Sequence, residues 1–345
     1  MARQRAGLAT LSDVARRAGV SVATASKALN ERGEVAPDTR LRVLRAADEL
    51  SFHPNALARG LISGRTSTVG LLTDELGGRF AIPILLGVEN TLGSSQMSVL
   101  LCDARGDGIR EQHYVKTLLA RQIDGLIVLG ELNDVRPSLT KGIPVPVVYV
   151  YCESDDPDDL SIVSDDQGGA RLAIEHLIGL GRRRIAHITG EEAYRAARNR
   201  VAAVRETLTG AGLPLVGEPL YGEWGQRWGR HAARMLLSAH PEIDAIFCGS
   251  DQIATGAADG IQDLGRRIPD DVALVGYDNW AIFAAECRPP LTTVDLNLQQ
   301  LGATAVKHLF ATIDGGQTSG VIRYPGRLVV RESTGPRPPV DHLPA

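Results

Sequence analysis

Apolar positions along the chain follow one rhythm up to about residue 50 and another from Thr68 onward. Between Thr10 and Leu50 they recur at helical spacing: Val14, Ala15 and Ala18; then Ala25, Ala28 and Leu29; then Leu41, Leu44, Ala47 and Leu50. From Thr68 the apolar residues come as short continuous runs, VGLLTD, SVLLCDA, DGLIVLGE, VPVVYVY, RIAHITG, AIFCGS and VALVGYDN. Helix-patterned stretches lie between them, for example Ile109–Arg121, Gly168–Leu180, Arg195–Leu208 and Gln252–Leu264. Runs buried on both faces and alternating with helices predict parallel sheets covered by helices. The strands fall into two sets, with a change near Ser164–Gly169, so two α/β lobes are expected behind a small helical head.

Local signals sharpen the head. Thr10 followed by Asp13 resembles a capping box, Gly19 stands where a turn needs positive φ, and Val20 can plug the corner. Ser21 is a natural cap for a second helix from Val22 to about Asn30, and Pro37 with Asp38 opens a third. Two short helices across a Gly-containing turn, with a third in support, form a helix-turn-helix, whose second helix places its N-terminal residues in the major groove. Charge agrees with this. Residues 1–65 hold 11 Lys+Arg against 6 Asp+Glu, and the remaining 280 hold 26 against 35, so a basic head precedes an acidic body. The stretch from His53 to Thr66 carries a short helical signal, with Pro54 as an early helix position and Gly64 as a stop; Gly60 inside it costs about 1 kcal/mol relative to Ala.

At 345 residues the chain has room for two or three domains of roughly 100 to 200 residues each. Its 43% apolar and 23% charged content is ordinary for a globular protein. Cys102, Cys152, Cys248 and Cys287 form no C-x-x-C pair and read as reduced thiols. No apolar h-region follows the N-terminal arginines and no run of about 18 apolar residues occurs, which predicts a soluble, cytoplasmic protein. There is no G-x-G-x-x-G after a strand, no P-loop, no H-E-x-x-H and no nucleophile triad; no enzyme, cofactor or metal is expected. The strand ends offer Asp74, Arg198, Ser250 and Asp278, with Trp224 and Trp280 nearby. Carboxylates and guanidinium groups pair with ring hydroxyls while a flat aromatic covers a sugar's apolar face, so this mixture suits a small sugar.

The head resembles the DNA-binding domain of LacI/GalR-type bacterial transcription regulators, and the body resembles their effector-binding core, related to periplasmic sugar-binding proteins. The resemblance rests on TLSDVARRAGVSVATASKALN in the head and on AARNRVAAVRETL, EWGQ, CGSDQIATGA, VGYDN, RPPLTTVD and ESTGP in the body. It implies that Val22 and Ala23 read bases, through apolar contact with a thymine methyl. Lys27 stands where the family usually has Arg or His, and Ser21, Thr24 and Asn30 are left for phosphate contacts or capping. The 53–66 segment would be the hinge helix, with Leu61 as a minor-groove wedge and Asn55 and Ala58 lining the same groove. In the core the resemblance makes Arg198 the ligand contact and Arg200 structural, gives Asp278 the effector hydroxyls and Trp224 a stacking role, and adds Asp74 and Phe80 at the end of the first core strand. Ser250 replaces a usual Asn and Leu296 a usual Gln.

The expected architecture is α/β: an all-α helix-turn-helix domain (1–50), a hinge helix or linker (51–65), and a two-lobed periplasmic-binding-protein-like core of parallel sheets (66–335), with a tail at 336–345. Lobe 1 is placed at about 66–164 and 294–320, lobe 2 at about 165–293 and 321–335. The expected function is a homodimeric, sequence-specific repressor of carbohydrate-use genes, bound to a near-palindromic operator on the nucleoid and relieved by a sugar or sugar derivative. The alternatives are a sugar- or nucleobase-dependent corepressed regulator and a sugar-binding protein without a DNA role.

Overall fold

The computed structural model describes residues 9–29, 35–52, 65–95 and 97–335. The chain divides into two compact units, Met1–Thr68 and Val69–Ala345.

In the first unit, α1 (Leu11–Ala18), α2 (Val22–Leu29) and α3 (Pro37–Glu49) pack around one small core. Thr10 and Asp13 form the capping box, the Asp13 N–H donating to Thr10 Oγ1 at 3.3 Å and the Thr10 N–H to the Asp13 carboxylate at 3.0 Å. Gly19 takes φ 67°, and Ser21 Oγ accepts the Thr24 N–H at 3.1 Å to start α2. The core consists of small side chains: Val14, Ala15, Ala18, Ala25, Ala28, Val43, Ala46 and Ala47. One expectation is corrected here. Leu41 and Leu44 are 52% and 41% exposed, and α3 turns Val43, Ala46 and Ala47 inward instead. Both sets have helical spacing and share Ala47, so periodicity alone did not separate them. The smaller set wins because it lets α3 approach two other short helices closely.

The second unit opens with β1 (Thr68–Thr73), α4 (Ala81–Ser94), β2 (Ser98–Asp103), α5 (Gly108–Ala120) and β3 (Gly125–Leu129). Next come β4 (Val135–Arg136), β5 (Val147–Val150), β6 (Glu153–Ser154), β7 (Leu160–Ser164) and α6 (Asp166–Gly179). They are followed by β8 (Ile185–Thr189), α7 (Arg195–Gly210), β9 (Leu220–Tyr221), α8 (Gln226–Ala239), β10 (Ala245–Cys248) and α9 (Asp251–Asp263). The last elements are β11 (Ala273–Asp278), α10 (Ala281–Ala284), β12 (Thr292–Asp295), α11 (Leu298–Ile313), β13 (Gly320–Tyr324) and β14 (Arg327–Val329).

These strands build two six-stranded sheets, ordered β13-β7-β5-β3-β1-β2 and β14-β12-β11-β10-β8-β9. Pairing is parallel from β13 to β1 in the first and from β12 to β9 in the second; β14 is an antiparallel edge. The chain passes between the sheets three times, after β7, after β12 and after β13. The crossovers are tied to one another: the Asp165 N–H donates to Tyr324 O at 3.0 Å, and Arg327 pairs with Asp295 at 2.9 Å. Because β13 pairs with β7 as far as Tyr324, the third crossover follows residue 324 and not residue 320. The carboxyl ends of both sets of strands face one cleft, where ligands of parallel α/β sheets sit.

Close helix packing beneath the first sheet depends on glycine. A Cβ on Gly87 of α4 would lie 1.9 Å from Gln299 O in α11, and a backbone atom cannot swing away. Gly87→Ala should therefore destabilise the core by about 1–3 kcal/mol. Gly93→Ala on the same helix meets nothing nearer than the tip of Glu89 at 3.9 Å and should be neutral or slightly stabilising. Thermal melts of the two variants check this; equal losses would refute it.

Candidate functional site

The head presents a compact reading surface. Capping by Ser21 starts α2 with Ser21, Val22 and Ala23 on its exposed end, Thr24 half-buried, and Lys27 exposed one turn on. Ala25 and Ala28 point into the core and fix which face is outward. Val22 is 46% exposed, an apolar side chain offered to a partner. Asn30, Asn55, Ala58 and Leu61 lie outside the described residues.

In the second unit the cleft is organised around Arg200. This side chain is 3% exposed; its Nε and Nη2 donate to Asp166 Oδ1 at 3.0 and 2.7 Å, and its Nη1 donates to Gly249 O at 2.6 Å. The guanidinium carbon lies 3.7 Å from the centroid of the Tyr277 ring and 5.9 Å from that of Trp224. Burial works against the Arg200 charge, but Asp166, Tyr277 and Asp278 more than offset it and raise its pKa above the ordinary value. Asp166 also accepts from Asn133 Nδ2 at 2.8 Å, so one carboxylate joins the first sheet's loops to the second sheet's helices.

A second cluster faces it. Arg79, in the loop between β1 and α4, places Nη2 2.8 Å from Asp278 Oδ2 and donates from Nη1 to Gln252 Oε1 at 3.3 Å. Its guanidinium packs over Phe80 at 4.4 Å and Trp280 at 5.1 Å, and Phe80 meets Tyr151 at 5.0 Å between ring centroids. Asp278 takes φ 103°, a conformation that costs energy in a non-glycine residue. The corner is held by Asp251, which accepts from the Trp280 N–H at 2.7 Å and from Thr293 Oγ1 at 2.6 Å. Burial pushes the Asp251 carboxyl up to about 8, with the nearby Asp278 adding to the effect. The Asp278 carboxyl is likewise pushed up by burial, against the pull of Arg79 and Arg200. A cavity of about 170 Å³ adjoins this cluster, lined in part by Glu75, Arg79, Phe80 and Glu131.

Several sequence expectations are thus relocated. Arg198, expected to touch ligand, is exposed and donates to the carbonyls of Glu192 and Ala193, each at 2.8 Å or less, whereas Arg200, expected to be structural, lies in the cleft. On α7 two residues differ by about 200° around the axis, so only one of the pair can face inward. Asp74 pairs with Arg136 at 3.0 Å within its own lobe. Ser250 is fully buried and its Oγ accepts the Ile253 N–H at 3.2 Å as the cap of α9. Trp224 packs over Gly190, where any Cβ would lie 2.0 Å from the indole, and meets Tyr194 edge-on at 5.9 Å. Phe80, Asp278 and Trp280 are brought together. Arg79, Asn133, Tyr151, Asp166 and Tyr277 were not singled out from sequence; position at strand ends was the available signal for Tyr151 and Asp166. Among the described residues no group of three or more His, Cys, Asp and Glu could hold a metal ion, and no helix is long and apolar enough to cross a membrane.

Known proteins match both units. Residues 10–55 match the family described as bacterial regulatory proteins, lacI family, and residues 174–334 match the periplasmic binding protein-like domain. Catabolite control protein A of Priestia megaterium is 32% identical over 334 residues, covering 94% of this chain and 99% of that protein. The chain belongs to the LacI family. Among solved structures, the lac repressor dimer bound to operator and the anti-inducer ONPF superposes with a TM-score of 0.75 at 28% identity, covering 96% of this chain and all of that one. The complex of the transcriptional regulator CelR with cellobiose gives 0.62 at 31% identity, covering 94% and 99%. This LacI-family chain is therefore a DNA-binding transcription repressor and not an enzyme.

The two arginines of α7 should separate cleanly in this LacI-family core. Arg200→Met leaves Asp166 buried without its counter-ion and should cost about 3 kcal/mol or more. Arg198→Ala removes only surface contacts and should leave the urea midpoint nearly unchanged. Similar losses in both variants would contradict the assignment.

Proposed function

We propose that the protein is a homodimeric repressor of carbohydrate-use genes whose affinity for a near-palindromic operator is set by a neutral, hydroxyl-rich sugar bound between the two lobes. The observation that carries the effector reading is Asp278. Its carboxylate is buried at a strand end, both of its oxygens lack a hydrogen bond, and Phe80 and Trp280 stand beside it. Two such oxygens accept from neighbouring ring hydroxyls, and flat aromatics cover the ring's apolar face. Arg79 and Arg200 already face carboxylates, which favours a neutral ligand over a phosphorylated or carboxylated one. The cellobiose complex of CelR supports a sugar, and the lac repressor dimer supports two-fold assembly. Under this reading Arg200, Trp224, Asp278 and Trp280 bind the effector, Phe80 closes over it, and Ser250 shapes the wall. The protein would act in the cytoplasm, on the nucleoid.

In the head, Val22 and Ala23 would meet thymine methyls and Lys27 a guanine edge, with Ser21 and Thr24 at phosphates. Asn30, Asn55, Ala58 and Leu61 keep the roles implied by the family resemblance. A symmetric dimer reads a symmetric site. Selection of bound duplexes from a random pool by the full-length protein should therefore recover two inverted half-sites around a central CG step. Lys27→Ala should relax the preference at one position per half-site, at a cost of about 1–3 kcal/mol. Recovery of a non-symmetric site, or of no preference at moderate salt, would overturn the operator reading.

A further inference from the structure

We propose that Arg79 is the positioning residue of the effector cleft: it latches one lobe to the other and supplies the counter-ion of Asp278.

Arg79 belongs to the loop between β1 and α4, on the first sheet; Asp278 ends β11, on the second. The ion pair between them spans the cleft at 2.8 Å, with side chains 18% and 2% exposed. Two more contacts cross the same gap: Nη1 of Arg79 donates to Gln252 on the first turn of α9, and the guanidinium packs over Trp280. Phe80, which also touches the guanidinium, packs against buried residues of both lobes. The guanidinium is thus in contact with an aromatic of each lobe and with a carboxylate of the opposite one.

A carboxylate as buried as that of Asp278 needs a counter-ion, because an isolated buried charge is too costly to keep. Arg200, the other cleft guanidinium described above, is engaged by Asp166 and Gly249, and Asp251 is taken up by Thr293 and the Trp280 N–H. Arg79 therefore fills the counter-ion role. It fills it in an unusual way: although Nη2 sits within ion-pair distance, its approach leaves neither Asp278 oxygen with a hydrogen bond. Charge is compensated, and both oxygens are shielded from solvent. The Asp278 backbone takes φ 103°, and Asp251 holds the Trp280 N–H two residues on.

A mechanical consequence follows. Drawing the lobes apart separates Arg79 from Asp278 and Trp280 together, so the latch favours the closed arrangement before any ligand arrives.

The latch concerns the same cleft as the proposed effector site, but its test needs no effector, so failure of the latch and failure of the sugar assignment are distinguishable. In the full-length protein, Arg79→Met, Asp278→Asn and the double variant are compared by urea unfolding and by hydrogen exchange of segments 76–83 and 276–284. Coupling requires that the double variant's unfolding constant fall short of the product of the single effects by at least about fivefold. Arg79→Met should raise exchange in both segments, and Arg79→Lys, which keeps the charge, should restore protection in 276–284 at least in part. Additive effects in the cycle, or faster exchange confined to 76–83, would overturn the proposal. If Arg79→Met does not fold, the decision passes to Arg79→Lys and Asp278→Asn: protection of 276–284 in the first and its loss in the second supports the latch, and the same exchange in both overturns it.

Discussion

The buried pair of Arg200 and Asp166 sets the arrangement of the cleft, because the groups around it are the ones that a ligand would meet. Asp166 stands at the start of α6, immediately after the first crossover, where it takes two guanidinium hydrogen bonds from α7 and one amide hydrogen bond from Asn133 in the first lobe. Arg200 in turn holds the Gly249 carbonyl at the end of β10 and packs over the Tyr277 ring of β11 at 3.7 Å. One ion pair therefore ties the start of α6 and the ends of β10 and β11 to the body of α7. A buried pair of this kind adds little stability over an apolar replacement, while loss of one partner is expensive. Its value lies in specifying geometry at the place where the chain first passes from one lobe to the other.

The remaining crossovers reinforce that arrangement. Asp165 binds the third crossover at Tyr324, and Asp295 at the second crossover pairs with Arg327 just beyond the third. Three strands of chain that pass between the lobes are thus bonded side by side along one axis. The cleft lies between the strand ends on either side of that axis, with Arg79 reaching across it to Asp278. The cleft and the first crossover are joined through Asp166, which follows β7 and holds Arg200.

Much of this was legible in the sequence. The continuous apolar runs marked β1, β2, β3, β5, β8, β10 and β11, and capping residues at Thr10 and Ser21 located the first two helices. Among the seven strands not marked, β7 and β12 mix Ser and Thr with apolar residues, and a buried hydroxyl such as that of Thr293 is satisfied by a partner elsewhere in the fold, Asp251. The exchange of roles between Arg198 and Arg200 came from placing the family's ligand contact on the first of two arginines two residues apart, and the exposed Leu41 and Leu44 from periodicity. Helical periodicity says that a face exists but not which of two overlapping faces turns inward. That choice depends on how closely the neighbouring helix approaches, and on a buried carboxylate contributed by a distant segment. Arg79 was invisible for a related reason: it lies in a loop, and its partner is almost 200 residues away.

The central claim is that the cleft and the DNA-reading head are thermodynamically linked. The most direct measurement uses a duplex recovered by selection and the sugar that binds most tightly in a panel of neutral mono- and disaccharides that includes cellobiose. Duplex affinity is titrated with and without the sugar, and sugar affinity with and without the duplex. The account predicts that both affinities change by the same factor, since linkage between two sites is reciprocal. A sugar that binds without altering duplex affinity, or a panel in which none binds, would contradict it.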